Sequence, residues 1–178
     1  MISLAEIVNI LIMTVAVAFI FRKAFGLQKQ ATFWKGMALA AALTAPAIIL
    51  HELGHKSVAL AFGLQATFQI PAFWLGLGVV LALVNAPIIF FIPAYISVVG
   101  NATPLQGTLI SFAGPAVNLL LYCVAWIVLR KPEHGMRSYA FWTFTKKING
   151  FLLLFNMIPI PPFDGFGVLS GLLKMFGF

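Results

Sequence analysis

Residues 36 to 62 read GMALAAALTAPAIILHELGHKSVALAF. As a helix rising 1.5 Å per residue this run is roughly 40 Å long, enough to cross the hydrocarbon core of a bilayer. Its alanines suit close packing against neighbouring helices. One polar block interrupts it, His51-Glu52-Leu53-Gly54-His55. An ionisable side chain at the centre of a membrane helix costs on the order of 2.5–3.5 kcal/mol on insertion scales. A span that carries a glutamate and two histidines needs something that offsets this cost.

The rest of the composition agrees with a membrane setting. The chain has 178 residues, 62% of them hydrophobic and 8% charged, and its mean hydropathy is +1.04. A soluble domain carries about 25% charged residues, so an ordinary cytosolic enzyme and a disordered chain are both excluded. A single cysteine, Cys123, excludes a disulfide scaffold. The net charge of +7 arises from eleven Lys+Arg against four Asp+Glu. Because the basic residues flank apolar runs, they bear on membrane orientation, and no nucleic-acid partner is expected.

Working outward, Ile7 to Phe21 forms an apolar run ahead of the quoted stretch. Ala16-Val17-Ala18 resembles a signal-cleavage site, but no basic residue precedes the run and the chain stays apolar beyond it. A retained membrane helix is therefore expected. Residues 22–35 form a basic linker with Arg22, Lys23, Lys29 and Lys35. After the second span, Gln65, Thr67 and Gln69 alternate with Ala66, Phe68 and Ile70, the period of a strand, which Pro71 ends. Residues 74–99 are apolar but broken by Asn85, Pro87 and Pro93. A third span covers Thr108 to Leu129, and a connector over 131–147 carries Arg137, Lys146 and Lys147. The last apolar segment, 148–178, is interrupted by Pro159, Pro161 and Pro162.

The expectation is an all-α polytopic membrane protein. It has about four transmembrane helices and a re-entrant or short β-strand region at 63–107. One domain covers 1–178, with an extra N-terminal span and basic linker at 1–35 ahead of a core at 36–175. If the basic clusters at 22–35 and 130–147 both face the cytoplasm, an even number of crossings separates them. That is met when 74–99 dips into the membrane and returns.

The polar block carries the chemistry. Positions i and i+4 share a helix face, so both imidazoles can reach one metal ion. Glu52 lies about 100° round the helix from His51, where it can take a proton from water at the metal without ligating it. Gly54 leaves room for another backbone. The bland alternative is a chance motif whose histidines merely bond between helices. Against it, two of three histidines and one of four acids fall within five residues.

A zinc site needs a third protein ligand and an open position. Glu6 and Glu133 lie at segment ends, where solvation is cheap, and His134 lies in the basic connector. Asp164 follows a proline-broken stretch inside an apolar segment, where a carboxylate suits a buried metal. The alternative for Asp164 is an interfacial cap that begins a short helix to Lys174. A zinc ion with two neutral imidazoles, the Asp164 carboxylate and one hydroxide sums to zero charge, the cheapest form to bury. Asn118 and Asn156 are each read either as packing bonds between helices or as site residues. Lys56 is expected to snorkel to an interface or a cavity.

Three patterns together carry a resemblance: His51-Glu52-Leu53-Gly54-His55, Ala113-Gly114-Pro115-Ala116-Val117-Asn118, and Asn156 through Asp164-Gly165. In this order they resemble the site-2 protease family of intramembrane zinc metalloproteases, over roughly residues 36–175. The resemblance implies His51, His55 and Asp164 as zinc ligands and Glu52 as general base. It implies substrate binding at Asn156 and, as a weaker candidate, Asn118. Phe163 departs from the leucine usual in the family. The chain leaves no room for the soluble regulatory domains many relatives attach, so it resembles a minimal catalytic core.

The implied activity is hydrolysis of peptide bonds in or near transmembrane segments of membrane-protein substrates (regulated intramembrane proteolysis), by a multi-pass protein of the cell membrane. Family members place the catalytic pocket toward the cytoplasm, which here puts both basic clusters outside, opposite to the charge rule. Because a membrane helix hides its peptide bonds, substrate must unwind, and strand 65–70 is a candidate for pairing with the extended segment. The alternatives are a non-proteolytic membrane zinc protein, either a transporter or a pseudoprotease, and a structural or chaperone-like membrane protein without metal.

Overall fold

The computed structural model describes residues 2–27, 32–87, 92–131 and 135–177. Lys29, Glu133 and His134 lie outside them. The element order is α1 (Leu4–Ala24), α2 (Phe33–Ala61), β1 (Gln65–Gln69), α3 (Ala72–Leu83), β2 (Tyr95–Val99), α4 (Pro104–Leu129), α5 (Met136–Asn156) and α6 (Asp164–Met175). Among the described residues α1, α2 and α4 are long and apolar enough to cross a membrane. The chain divides into two compact units, Met1–Ile49 with Thr67–Ser97 and Leu50–Ala66 with Val98–Phe178.

In the first unit α1 begins with a capping box. The Glu6 N–H donates to Ser3 Oγ at 3.2 Å, and the Ser3 N–H donates to Glu6 Oε2 at 2.8 Å. Glu6 is buried rather than solvated at a segment end. Its other oxygen, Oε1, accepts the Phe68 N–H of β1 at 2.7 Å, while Asn9 Nδ2 donates to the Phe68 carbonyl at 3.1 Å. A local cap and a distant strand thus share one carboxylate, which offsets its burial. Since the N–H and C=O of one strand residue point to the same side, β1 meets β2 through its other edge. The Phe68 side of β1 is occupied by Glu6 and Asn9.

The basic end of α1 also packs inward. The Arg22 guanidinium lies 4.6 Å from the centroid of the Phe33 ring, and the Lys23 ammonium donates to the Ala82 carbonyl at the end of α3. Helix α3 has 12 residues, about 18 Å at the helical rise and too short for a hydrocarbon core of about 30 Å. Strands β1 and β2, which bracket α3 in sequence, are neighbours in one two-stranded sheet.

In the second unit α4 starts at Pro104, four residues before the expected Thr108. Thr103 caps it, accepting the Gln106 N–H at 3.3 Å, and the Gln106 side chain accepts the Thr103 N–H at 2.9 Å. Much of the expected 131–147 connector is helical, because α5 begins at Met136. Lys146 rides within α5 with its ammonium 5.7 Å from the Tyr122 ring centroid. Helix α6 packs on α4 through small residues. A Cβ at Gly167 would strike Ser111 Oγ, and one at Gly171 would strike Thr108 Oγ1.

Candidate metal centre

All the residues of this centre lie in the second unit. His51 and His55 project from one face of α2, with ring centroids 4.7 Å apart and planes at 83°. Their Nε2 atoms stand 3.1 Å apart. Asp164 Oδ2 lies 3.1 Å from the Nε2 of His51 and 3.3 Å from that of His55. The three side chains form a group that can hold a metal ion. Tetrahedral zinc, with bonds of about 2.0–2.1 Å to nitrogen and oxygen, sets its ligand atoms roughly 3.3 Å apart. The observed triangle matches that spacing.

The remaining ring nitrogens support the same use. His55 Nδ1 is 2.6 Å from the Ile110 carbonyl oxygen and His51 Nδ1 is 2.6 Å from Asn118 Oδ1. A carbonyl oxygen only accepts, so His55 Nδ1 carries a proton, and in the neutral ring Nε2 presents a lone pair. Metal-binding histidines are anchored in this way. Asp164 Oδ2 is buried and takes no hydrogen bond among the described residues. Electron-rich atoms facing one another in a buried pocket call for a cation between them.

Three glycines let the backbones close around this point. A Cβ at Gly114 on α4 would sit 2.6 Å from His51 Cε1 and 2.7 Å from its Nε2, and would also strike His55 Nε2. At Gly54 it would meet Val117 Cγ2 at 2.8 Å and the Ala113 carbonyl at 2.9 Å, the close approach expected from sequence. At Gly165 it would meet the backbone of Met157 and the Ile158 carbonyl, the latter at 2.7 Å. The start of α6 is thereby pressed onto the turn after α5. Asp164 is the first residue of α6, with no side-chain bond capping the helix. It begins the short helix foreseen by the capping alternative and also turns its carboxylate to the histidines. The positive end of the helix dipole favours an anion there.

Glu52 is buried and interacts electrostatically with His51, His55 and Asp164, without joining the three converging atoms. Asn156, the last residue of α5, places Nδ2 3.5 Å from His51 Nε2, at the edge of the centre. Asn118 is wholly buried behind His51, and its Nδ2 donates to Asn149 Oδ1 at 2.9 Å. Its amide is occupied by protein groups instead of facing a substrate. Asn149 was not singled out by the sequence; the available signal was an asparagine within the apolar run that ends α5. Lys56, the residue after the motif, is buried within α2.

The chain resembles several known proteins. No family model and no solved structure matches it. It is 37% identical over 123 residues to a Methanocaldococcus jannaschii protein named "Putative zinc metalloprotease MJ0611", covering 68% of this chain and 64% of that protein. It is 30% identical over 135 residues to the "Putative zinc metalloprotease sll0528" of Synechocystis, covering 75% of this chain and 31% of that protein. It is also 34% identical over 77 residues to the "Putative zinc metalloprotease YwhC" of Bacillus subtilis, covering 38% of this chain and 35% of that protein. The chain thus spans from about a third to just under two thirds of the relatives it matches. These similarities support a zinc metalloprotease family.

Proposed function

We propose that this chain is an intramembrane zinc endopeptidase of the site-2 protease type, a multi-pass protein of the cell membrane that cleaves membrane-protein substrates in or near their transmembrane segments. The observation that carries this reading is the convergence of His51 Nε2, His55 Nε2 and Asp164 Oδ2 within 3.3 Å, beside a buried Glu52 on a helix of membrane-crossing length. The similarity to proteins named as zinc metalloproteases supports it further.

In this proposal His51, His55 and Asp164 hold the ion. A zinc ion bound there supplies Lewis acidity, which brings the pKa of water toward about 7 and polarises a carbonyl. Glu52, adjacent to a ligand but not one itself, takes a proton from the attacking water and delivers it to the leaving amine nitrogen. The oxygen of that water joins the carbonyl carbon as the C–N bond breaks. The Asn156 amide, at the rim, hydrogen-bonds the substrate backbone. The substrate helix unwinds before attack, since its own hydrogen bonds otherwise cover the scissile bond. With the Phe68 side of β1 taken by Glu6 and Asn9, the extended segment adds at β2, the strand whose outer edge has no strand neighbour among the described residues.

The test is cleavage of a designed single-pass substrate by purified protein reconstituted in vesicles, with Glu52→Gln alongside. The variant should keep its zinc and lose cleavage by about 100-fold or more, the usual contribution of a general base. Equal cleavage by both proteins would remove the protease reading. Zinc flux through the vesicles would put a transporter in its place.

A further inference from the structure

A buried chain of hydrogen bonds runs from α5 to the candidate metal position. The Asn149 Nδ2 donates to the Thr145 carbonyl at 2.8 Å, Asn118 Nδ2 donates to Asn149 Oδ1 at 2.9 Å, and Asn118 Oδ1 lies 2.6 Å from His51 Nδ1. Asn118 is 0% exposed and Asn149 1%. Water has no access to either amide, so each must be satisfied by its protein neighbours.

We propose that Asn149 is a positioning residue which, acting through Asn118, fixes the His51 ring with its proton on Nδ1 and its Nε2 lone pair toward the metal. The proposal rests on the reading that His51, His55 and Asp164 bind zinc. The polarity of the chain follows from its far end. A backbone carbonyl can only accept, so the Asn149 group facing Thr145 must be the NH2. The Asn149 oxygen then faces Asn118, which must turn its own NH2 toward it. The Asn118 oxygen is left facing His51, and of the two neutral tautomers the one protonated on Nδ1 donates to it. One acceptor of fixed character, the Thr145 carbonyl, thus orients every later member of the chain. Reversing the chain would place an NH2 against Nδ1, move the ring proton to Nε2 and aim that proton at His55 and Asp164. His55 needs no such relay, since its Nδ1 meets the Ile110 carbonyl directly.

Two substitutions separate direction from packing. Asn149→Leu keeps a similar volume and removes both ends of the relay. Asn149→Asp keeps an acceptor toward Asn118 and, when protonated, a donor toward Thr145, so the direction is preserved. Zinc affinity is read by competition with a chromogenic chelator on detergent-purified full-length protein. Asn149→Leu should raise the zinc Kd about 10- to 100-fold, the range for outer partners of metal-binding histidines, and Asn149→Asp should restore most of the affinity. A purely structural role would lower thermal stability in both variants without this split.

A second measurement stands independent of the variants' folding. In zinc-loaded parent protein with ¹⁵N-labelled histidine, only three imidazoles contribute, and His51 should show a protonated Nδ1 with a metal-bound Nε2. A His51 ring bound through Nδ1 overturns the relay, as does an Asn149→Leu protein that folds and binds zinc as tightly as the parent. Parent protein that binds no zinc overturns the triad reading and the relay with it. Zinc-binding parent with an indifferent Asn149→Leu overturns the relay alone.

Discussion

His51 Nε2 and Asp164 Oδ2 lie 3.1 Å apart, which ties the middle of a membrane-length helix to the first residue of the last one. Replacing Asp164 by Asn keeps the shape and removes the anion. Zinc Kd should rise by more than the roughly 10- to 100-fold seen when outer partners are lost. Chelator competition on the purified variant checks this, with circular dichroism to confirm that the helices persist.

Gly114→Ala puts a methyl group where the two imidazole nitrogens meet. The protein should fold and reach the membrane, yet carry less than stoichiometric zinc by elemental analysis. Gly107→Ala on the same helix has open space around it and serves as the control. It should leave zinc unchanged and gain up to about 1 kcal/mol from helix propensity.

Glu6→Ala strips the partner from the N–H groups of Ser3 and Phe68 together. Loss of a cap and of a buried acceptor should cost about 2–3 kcal/mol. Amide exchange at Phe68 should accelerate more than elsewhere in the sheet. Glu6→Gln, which retains one acceptor oxygen, should fall between the two proteins.

Removing zinc with a chelator should lower the thermal midpoint, and re-addition should restore it. At free zinc 1,000 times its Kd, binding contributes about 4 kcal/mol to the folded state. Asp164→Asn, lacking the third ligand, should show little of this dependence in parallel melts.

How much of this was legible in the chain differs from element to element. The α2 span and the strand at 65–69 followed from apolar run and alternation, which are local. So did the close approach at Gly54, because little else explains a glycine between two histidines. Asp164 could be selected because acids are so few that its place inside an apolar segment stood out. The start of α4 lies ahead of its apolar run, because the Thr103–Gln106 capping box, and not hydropathy, sets it. Glu6 shows the other limit. Its capping bond to Ser3 is three residues long and readable, whereas its bond to Phe68 spans 62 residues and depends on tertiary packing. Lys23 is similar, since composition does not distinguish a lysine that sets orientation from one that caps α3. Asn149 was invisible because its role depends on the residue behind Asn118.

The bonds from Glu6 and Asn9 to Phe68 also bear on how two copies of this protein can meet. A two-stranded ribbon with both borders open could be extended by one molecule after another into a continuous ladder. Here α1 stands across the Phe68 border, which leaves, among the described residues, the β2 border without a strand neighbour. If two copies paired through these open borders, the pair would have no further border to offer, and growth into a filament would stop there.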